Sequence, residues 1–340
     1  MYCSCHPFLN RRGFLAGATA LAARGAQAQT TPHRIDVHHH IVAPSWLDAL
    51  KKAKFDNPPM SNWTPQRSIE DMDKAGTATA ITSPTTPQVG FLPASDAARI
   101  ARESNEYAKR LMTDYPGRFG VFAMLPMPYI DESLKEIEYA FDTLHVDGIG
   151  MMTSYGDKWL GYPQFAPVFD ELNRRKATVY THPTTANCCV NLVQGIGDAT
   201  VEYGADTTRT IANLIFSGTA QRCGDINFIF SHGGGVLTAV AERMQIQMVN
   251  TPPYKGKFTR NIVDDLLRRF YYDTAQVAGA VTIGALAKLV PTSQIVFGTD
   301  YPYRTGAEQA QALAQRFGAG DLKAIDRDNA LRILPRLRAG

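Results

Sequence analysis

The chain has 340 residues, 44% hydrophobic and 20% charged, which supplies a sizeable core and excludes a disordered or fibrous protein. Lys and Arg number 35 against 32 Asp and Glu, and because residues 1–28 hold Arg11, Arg12 and Arg24 but no acid, the remainder balances. A balanced surface gives no electrostatic reason to expect nucleic acid or an anionic membrane as partner, so a small-molecule substrate is the default.

The first segment reads as an address. Asn10-Arg11-Arg12-Gly13-Phe14-Leu15-Ala16-Gly17 sets two arginines before an aromatic-leucine step, and an Ala-rich, mildly apolar run follows, ending in Ala26-Gln27-Ala28. This pattern predicts a twin-arginine export signal cleaved after Ala28, leaving residues 29–340 as one soluble periplasmic domain. A cytosolic chain with a frayed Ala-rich helix is the competing reading. No later stretch approaches ~18 consecutive apolar residues, so no membrane span is expected. Of the cysteines outside the signal, Cys188 and Cys189 are adjacent and could pair only through an eight-membered ring, and Cys223 makes the number odd. Neither a structural disulfide nor a zinc-finger site is expected.

From residue 33 onward, short β-branched runs alternate with longer helical patterns. Strands are predicted over 34–38, 77–82, 119–124, 148–152, 178–182, 227–231, 271–273 and 295–298, and helices over 94–114, 131–144, 165–175, 236–248 and 278–289. Eight such strands fit an α/β fold of the single (β/α)8 TIM-type barrel kind, for which about 250 residues plus insertions is typical. A doubly wound open sheet is the alternative, but no Gly-rich dinucleotide loop follows the first strand. Two insertions interrupt the alternation: residues 44–65, with Pro58-Pro59 and Trp63, and residues 250–257, with Pro252-Pro253. Both read as lid or subunit-contact loops.

The histidines carry the chemistry. In Ile35-Asp36-Val37-His38-His39-His40, strand alternation puts Asp36, His38 and His40 on one face and Val37 and His39 on the other. At the carboxyl end of a barrel strand, His38 and His40 can chelate one divalent ion, although three histidines in a row also suit a solvated loop. His182 ends strand five, His232 ends strand six before three glycines, and Asp300 ends strand eight in Gly298-Thr299-Asp300-Tyr301-Pro302. Three imidazoles and one carboxylate suit zinc, with manganese or iron as alternatives. His232, one strand further round, suits an acid–base or water-orienting role, and Asp300 suits a ligand that also carries a proton. After strand four, Tyr155 and Trp159 are candidates to stack on an aromatic ring or to pack a lid. Arg304 is a candidate partner for a second substrate carboxylate, or an exposed surface residue.

With these residues in place, the chain resembles the amidohydrolase superfamily, and within it the branch of aminocarboxymuconate-semialdehyde decarboxylase. The shared pattern includes IDVHHH, MDKAG, ITSPTTP, THPT, SHGGG and GTDYP. Its more specific blocks, NEYAKRLMTDYPGRFGVFAMLPM and DGIGMMTSYGDKWLG, resemble decarboxylases of the methylsalicylate type. The resemblance implies a (β/α)8 metal enzyme with ligands His38, His40, His182 and Asp300, and His232 beside the metal-bound water or substrate. It also implies non-oxidative decarboxylation of a small aromatic or unsaturated acid, with Asp300 or His232 protonating the carbon that bears the carboxyl group, and a homodimer. The chain departs from the pattern at Thr238, at Cys223-Gly224, over residues 184–189 and at Tyr303-Arg304. Those loops shape the pocket, so the metal site carries over more readily than the substrate. The alternative is a hydrolase of a lactone, ester, amide or ring-fission carbon–carbon bond, with Asp300 as general base; the ligand set alone does not separate the two.

Overall fold

A computed structural model describes residues 32–338. The twin-arginine signal expected over residues 1–28 lies outside the described residues. Eight parallel strands follow one another in space as in sequence: β1 (Arg34–His40), β2 (Thr77–Ser83), β3 (Phe119–Met124), β4 (Gly148–Met152), β5 (Thr178–His182), β6 (Asn227–Phe230), β7 (Tyr271–Asp273) and β8 (Ile295–Val296). The seam of this nearly closed barrel is carried by three backbone hydrogen bonds. Val37 N–H donates to Phe297 O (3.0 Å), Asp300 N–H to His38 O (2.8 Å) and His40 N–H to Tyr301 O (2.8 Å).

The barrel interior is filled. Ile35, Ile81, Phe122, Tyr180, Ile229 and Val296 pack inside it, and Ala330, Ile333 and Leu334 from the C-terminal segment pack against them. Phe122 stacks on Tyr180 at 5.5 Å between centroids, and Tyr180 meets the His38 ring edge-on at 5.3 Å. An aromatic plug therefore lies directly beneath the functional strand ends.

The outer helices are α1 (Pro44–Ala53), α2 (Pro65–Ala75), α3 (Ala94–Asp114), α4 (Ile130–Tyr139), α5 (Ala166–Arg174), α6 (Glu202–Phe216), α7 (Leu237–Arg243), α8 (Arg260–Arg269), α9 (Ala280–Leu289) and α10 (Gly306–Ala314). Much of residues 44–65, expected as a loop, is helical. Pro44 occupies the first turn of α1, where its missing N–H costs nothing. Trp46 and Leu50 of that helix are buried, and the Trp46 indole donates to Gln88 O at 2.7 Å. Asn57 caps a short turn over Pro58–Ser61, and Thr64 caps α2 through the Arg67 N–H. Prolines that read as breakers are in fact helix starts. Residues 251–257 do form turns, while Asn250 still belongs to the preceding helix. Helix α6 escaped the sequence reading because Asp206, Thr207, Thr208 and Thr210 lie buried where a periodicity argument looks for apolar residues.

A second correction concerns the cysteines. Cys188 and Cys189 pair with each other in the loop after β5, within the tight turn Asn187–Cys189, while Cys223 is free and buried. Among the described residues no helix is long and apolar enough to cross a membrane.

Candidate active site

Strand β1 does not keep strict alternation, because its register shifts between Asp36 and His39. Asp36 consequently turns away from His38 and His40. Its Oδ1 accepts the His38 and Thr299 N–H groups (3.0 and 3.1 Å), and its Oδ2 accepts the Thr299 hydroxyl (2.6 Å) and lies 2.9 Å from His39 Nδ1. This carboxylate staples β1 to the segment after β8. His39 points outward as expected, but into a network: its Nε2 lies 2.5 Å from Ser68 Oγ on α2, and its ring stacks on Tyr301 at 4.7 Å.

The three candidate-ligand histidines, His38, His40 and His182, share one design. Each Nδ1 faces an acceptor: Asp273 Oδ2 for His38 (2.8 Å), Ser83 O for His40 (3.1 Å) and Pro183 O for His182 (2.8 Å). An acceptor at Nδ1 holds the proton there and leaves the Nε2 lone pair free for a ligand. Those lone pairs converge. His38 Nε2 lies 3.2 Å from His40 Nε2, Asp300 Oδ1 lies 3.1 and 2.9 Å from the two, and one ligand atom from each of His38, His40, His182 and Asp300 falls within 4.8 Å of all the others. All four residues are buried.

Protonation equilibria report the same crowding. Burial depresses His38, but the carboxylates of Asp273 and Asp300 outweigh it and push it up to about 10. Burial holds His40 down, and it holds His182 well below its ordinary value, with the neighbouring imidazoles adding to the effect. Burial raises Asp300, yet His38 and His40 more than reverse this and keep it well below the usual carboxylate range. Three convergent nitrogens and a carboxylate oxygen, buried together, ask for a positive charge at their centre, and this donor set fits a divalent metal ion.

Supporting geometry comes from neighbouring turns. Asp300 has a positive φ of 66°, held by its N–H on His38 O, and its Oδ2 accepts from the Gln276 side chain. Gly298 is required there, since a Cβ would come within 2.9 Å of His38 Cβ. His232, with φ 52°, is fixed by its N–H on Asp273 Oδ1 (2.8 Å) and by Nδ1 at 3.0 Å from Ala275 O. Its half-buried ring stands 4.9 Å from His38 and 6.2 Å from His182, beside the ligands rather than among them. Asp273 thus braces both His38 and His232. Sequence reasoning passed over it, although an acid at the end of predicted strand seven was the available signal.

Above the ligands opens a cavity of about 830 Å³, within the range of small-molecule sites. His182, His232, Asp300 and Gln276 line it with Thr85 and Thr184, and its apolar walls include Phe55, Met60, Pro87, Val236 and Val277. Tyr203 and Tyr303 also line it, as does Asp198, and among the described residues no Lys or Arg does. The three expected substrate residues lie elsewhere. The Tyr155 oxygen accepts the Met152 N–H, and its ring packs on Phe165. The Trp159 indole donates to Asp206 Oδ1 at 2.6 Å and borders a separate groove with Arg209 and Phe216. Arg304 is exposed.

Comparison with known proteins agrees with this geometry: the amidohydrolase family matches residues 35–336. The chain belongs to the amidohydrolase family. It is 36% identical over 329 residues to the decarboxylase yanB of Aspergillus niger, covering 90% of this chain and 88% of that one. It is 34% identical over 325 residues to the 6-methylsalicylic acid decarboxylase acuB of Aspergillus aculeatus, covering 90% and 97%. The solved dihydroxybenzoic acid decarboxylase of Polaromonas sp. JS666, with bound manganese and 2-nitroresorcinol, shares the fold at a TM-score of 0.78 and 21% identity, over 90% of this chain and 98% of that one. In the amidohydrolase described here, the four candidate ligands come from β1, β5 and the turn after β8.

Proposed function

We infer that this amidohydrolase is a metal-dependent carboxy-lyase that removes the carboxyl group of a small hydroxylated aromatic acid without an oxidant. The observation that carries the reading is the buried His38–His40–His182–Asp300 group at the floor of a cavity roomy enough for one substituted ring. Relatives named as decarboxylases, at 34–36% identity over 90% of the chain, favour lysis over hydrolysis. We take the resident ion to be zinc, which three imidazole nitrogens and one carboxylate suit; the manganese of the Polaromonas enzyme makes it the competitor.

When bound, a divalent ion supplies a Lewis acid that withdraws electron density from the substrate's oxygens. The chain's own residues do the rest. The apolar walls strip water from the carboxylate, and with no Lys or Arg lining the cavity among the described residues, no fixed side-chain charge pins it in the ground state. Asp300 Oδ2, on the side facing Gln276, takes the proton of a ring hydroxyl and delivers it to the carbon bearing the carboxylate. The bond to that carbon then breaks, its electron pair restores the ring and carbon dioxide leaves. One proton is consumed per turnover, and the cavity-lining His232 returns it from solvent.

The test is to incubate purified protein with a panel of hydroxybenzoic acids and with ester and lactone substrates, scoring carbon dioxide. Release from at least one acid is expected; hydrolysis of an ester or lactone with no carbon dioxide from any acid overturns the reading. We further propose that residues 1–28 direct twin-arginine export to the periplasm, on the strength of Arg11-Arg12 and Ala26-Gln27-Ala28. A reporter fusion should lose its periplasmic signal when both arginines become lysine. A homodimer, which the family resemblance implies, is tested by sedimentation.

A further inference from the structure

The cavity must orient a carboxylate, yet no Lys or Arg lines it among the described residues, and Arg304, the expected partner, is exposed. Two phenols line the cavity. The Tyr303 ring lies 5.9 Å from His40, the Tyr203 ring lies 6.3 Å from His182, and those two imidazoles are 4.7 Å apart, so the phenols flank one pair of candidate ligands. The Tyr303 oxygen accepts from Asn57 Nδ2 at 3.3 Å, which occupies one lone pair and leaves its O–H able to donate. The Tyr203 hydroxyl has no hydrogen-bond partner among the described residues, although its ring is half-buried against the cavity. A phenol is uncharged at neutral pH, so each offers a neutral O–H.

We propose that Tyr203 and Tyr303 are the specificity-determining residues that hold the substrate's carboxylate, through neutral O–H donors in place of a Lys or Arg side chain. This rests on the decarboxylase reading above. The chemistry favours neutral donors, because negative charge leaves the carboxylate as the carbon–carbon bond breaks and the departing carbon dioxide is neutral. A guanidinium would bind the intact carboxylate by two charge-assisted hydrogen bonds and lose that stabilisation on the way to the transition state. Phenols orient the group with less ground-state stabilisation. The same arrangement selects monocarboxylic acids, since a second carboxylate would meet Asp198 and no compensating cation.

The experiment uses metal-loaded wild type and the variants Tyr203→Phe and Tyr303→Phe, titrated calorimetrically with 2-nitrophenol, whose nitro group is isosteric with the carboxylate, and with phenol, which lacks that group. Each variant should keep its metal content and lose about 5-fold in affinity for 2-nitrophenol, as expected for one lost hydrogen bond, while phenol changes by less than about 2-fold. For decarboxylation, KM should rise with kcat largely retained. Equal losses for the two probes, or no loss for either, overturn the proposal. If wild type releases no carbon dioxide from any hydroxybenzoic acid while the nitro-selective loss persists, the decarboxylase reading fails and the carboxylate subsite stands.

Discussion

The floor of the cavity and its rim are held in different ways. On the floor, each ligand imidazole has its Nδ1 bound to an acceptor, and no ligand residue is more than 4% exposed. On the rim, Phe55 is 49% exposed. Strand ends inherit their positions from the barrel ladder, so a side chain there is placed by register and second-layer hydrogen bonds. Rim residues sit on turns and at a helix start that the ladder does not fix, so they can vary in sequence and set what binds.

The sharpest way to break this contrast is to remove a floor ligand. Asp300→Asn or His38→Ala should abolish bound metal, measured by elemental analysis, and cut carbon dioxide release by roughly a thousandfold or more. Removing the ion with a chelator should do the same reversibly. One layer back, Asp273→Asn keeps the size of the brace but removes the charge on His38 Nδ1; metal affinity, followed by competition with a chelating dye, should fall about 10- to 100-fold.

His39→Ala probes the seam without touching a ligand. With both ring nitrogens hydrogen-bonded and the ring stacked on Tyr301, it should cost about 2–4 kcal/mol in urea unfolding, not the mild effect that outward alternation alone implies. Asp206, a buried carboxylate on α6, accepts from Thr153, Ser154 and Trp159. Burial raises its pKa in spite of those donors, so the folded state binds its proton more tightly than the unfolded state does. The stability of wild type relative to Asp206→Asn should therefore be highest below the unfolded value and decline as pH rises through the folded one, read from urea midpoints between pH 4 and 7. The smallest effect belongs to Arg304→Ala, whose side chain is exposed and absent from the cavity wall; KM should stay within about 2-fold.

The ligands were legible because His38, His40, His182 and Asp300 each end a predicted strand, and in a barrel of this kind those ends meet. Asp273 obeyed the same rule but stood alone in its strand, with no second polar residue to mark it. Tyr155 and Trp159 were misplaced for a local reason. Residues 154–159 fold into a small antiparallel hairpin that turns Tyr155 into the core and Trp159 toward Asp206 on α6. Neither the hairpin nor buried, Thr-rich α6 carries a periodic signal, so the partners that redirect these aromatics were invisible in the chain.

Sequence alone determined the alternation of strands and helices, the balanced charge and the placing of imidazoles at strand ends, because period and residue type are local properties. Tertiary structure alone decided that Asp36 serves the seam, that Asp273 braces two histidines, that Cys188 pairs with Cys189, and that Tyr203 and Tyr303 face the cavity. Each of those depends on register shifts, turn geometry or contacts between segments, down to a hydrogen bond spanning 263 positions between Asp36 and Thr299, which no stretch of sequence encodes by itself.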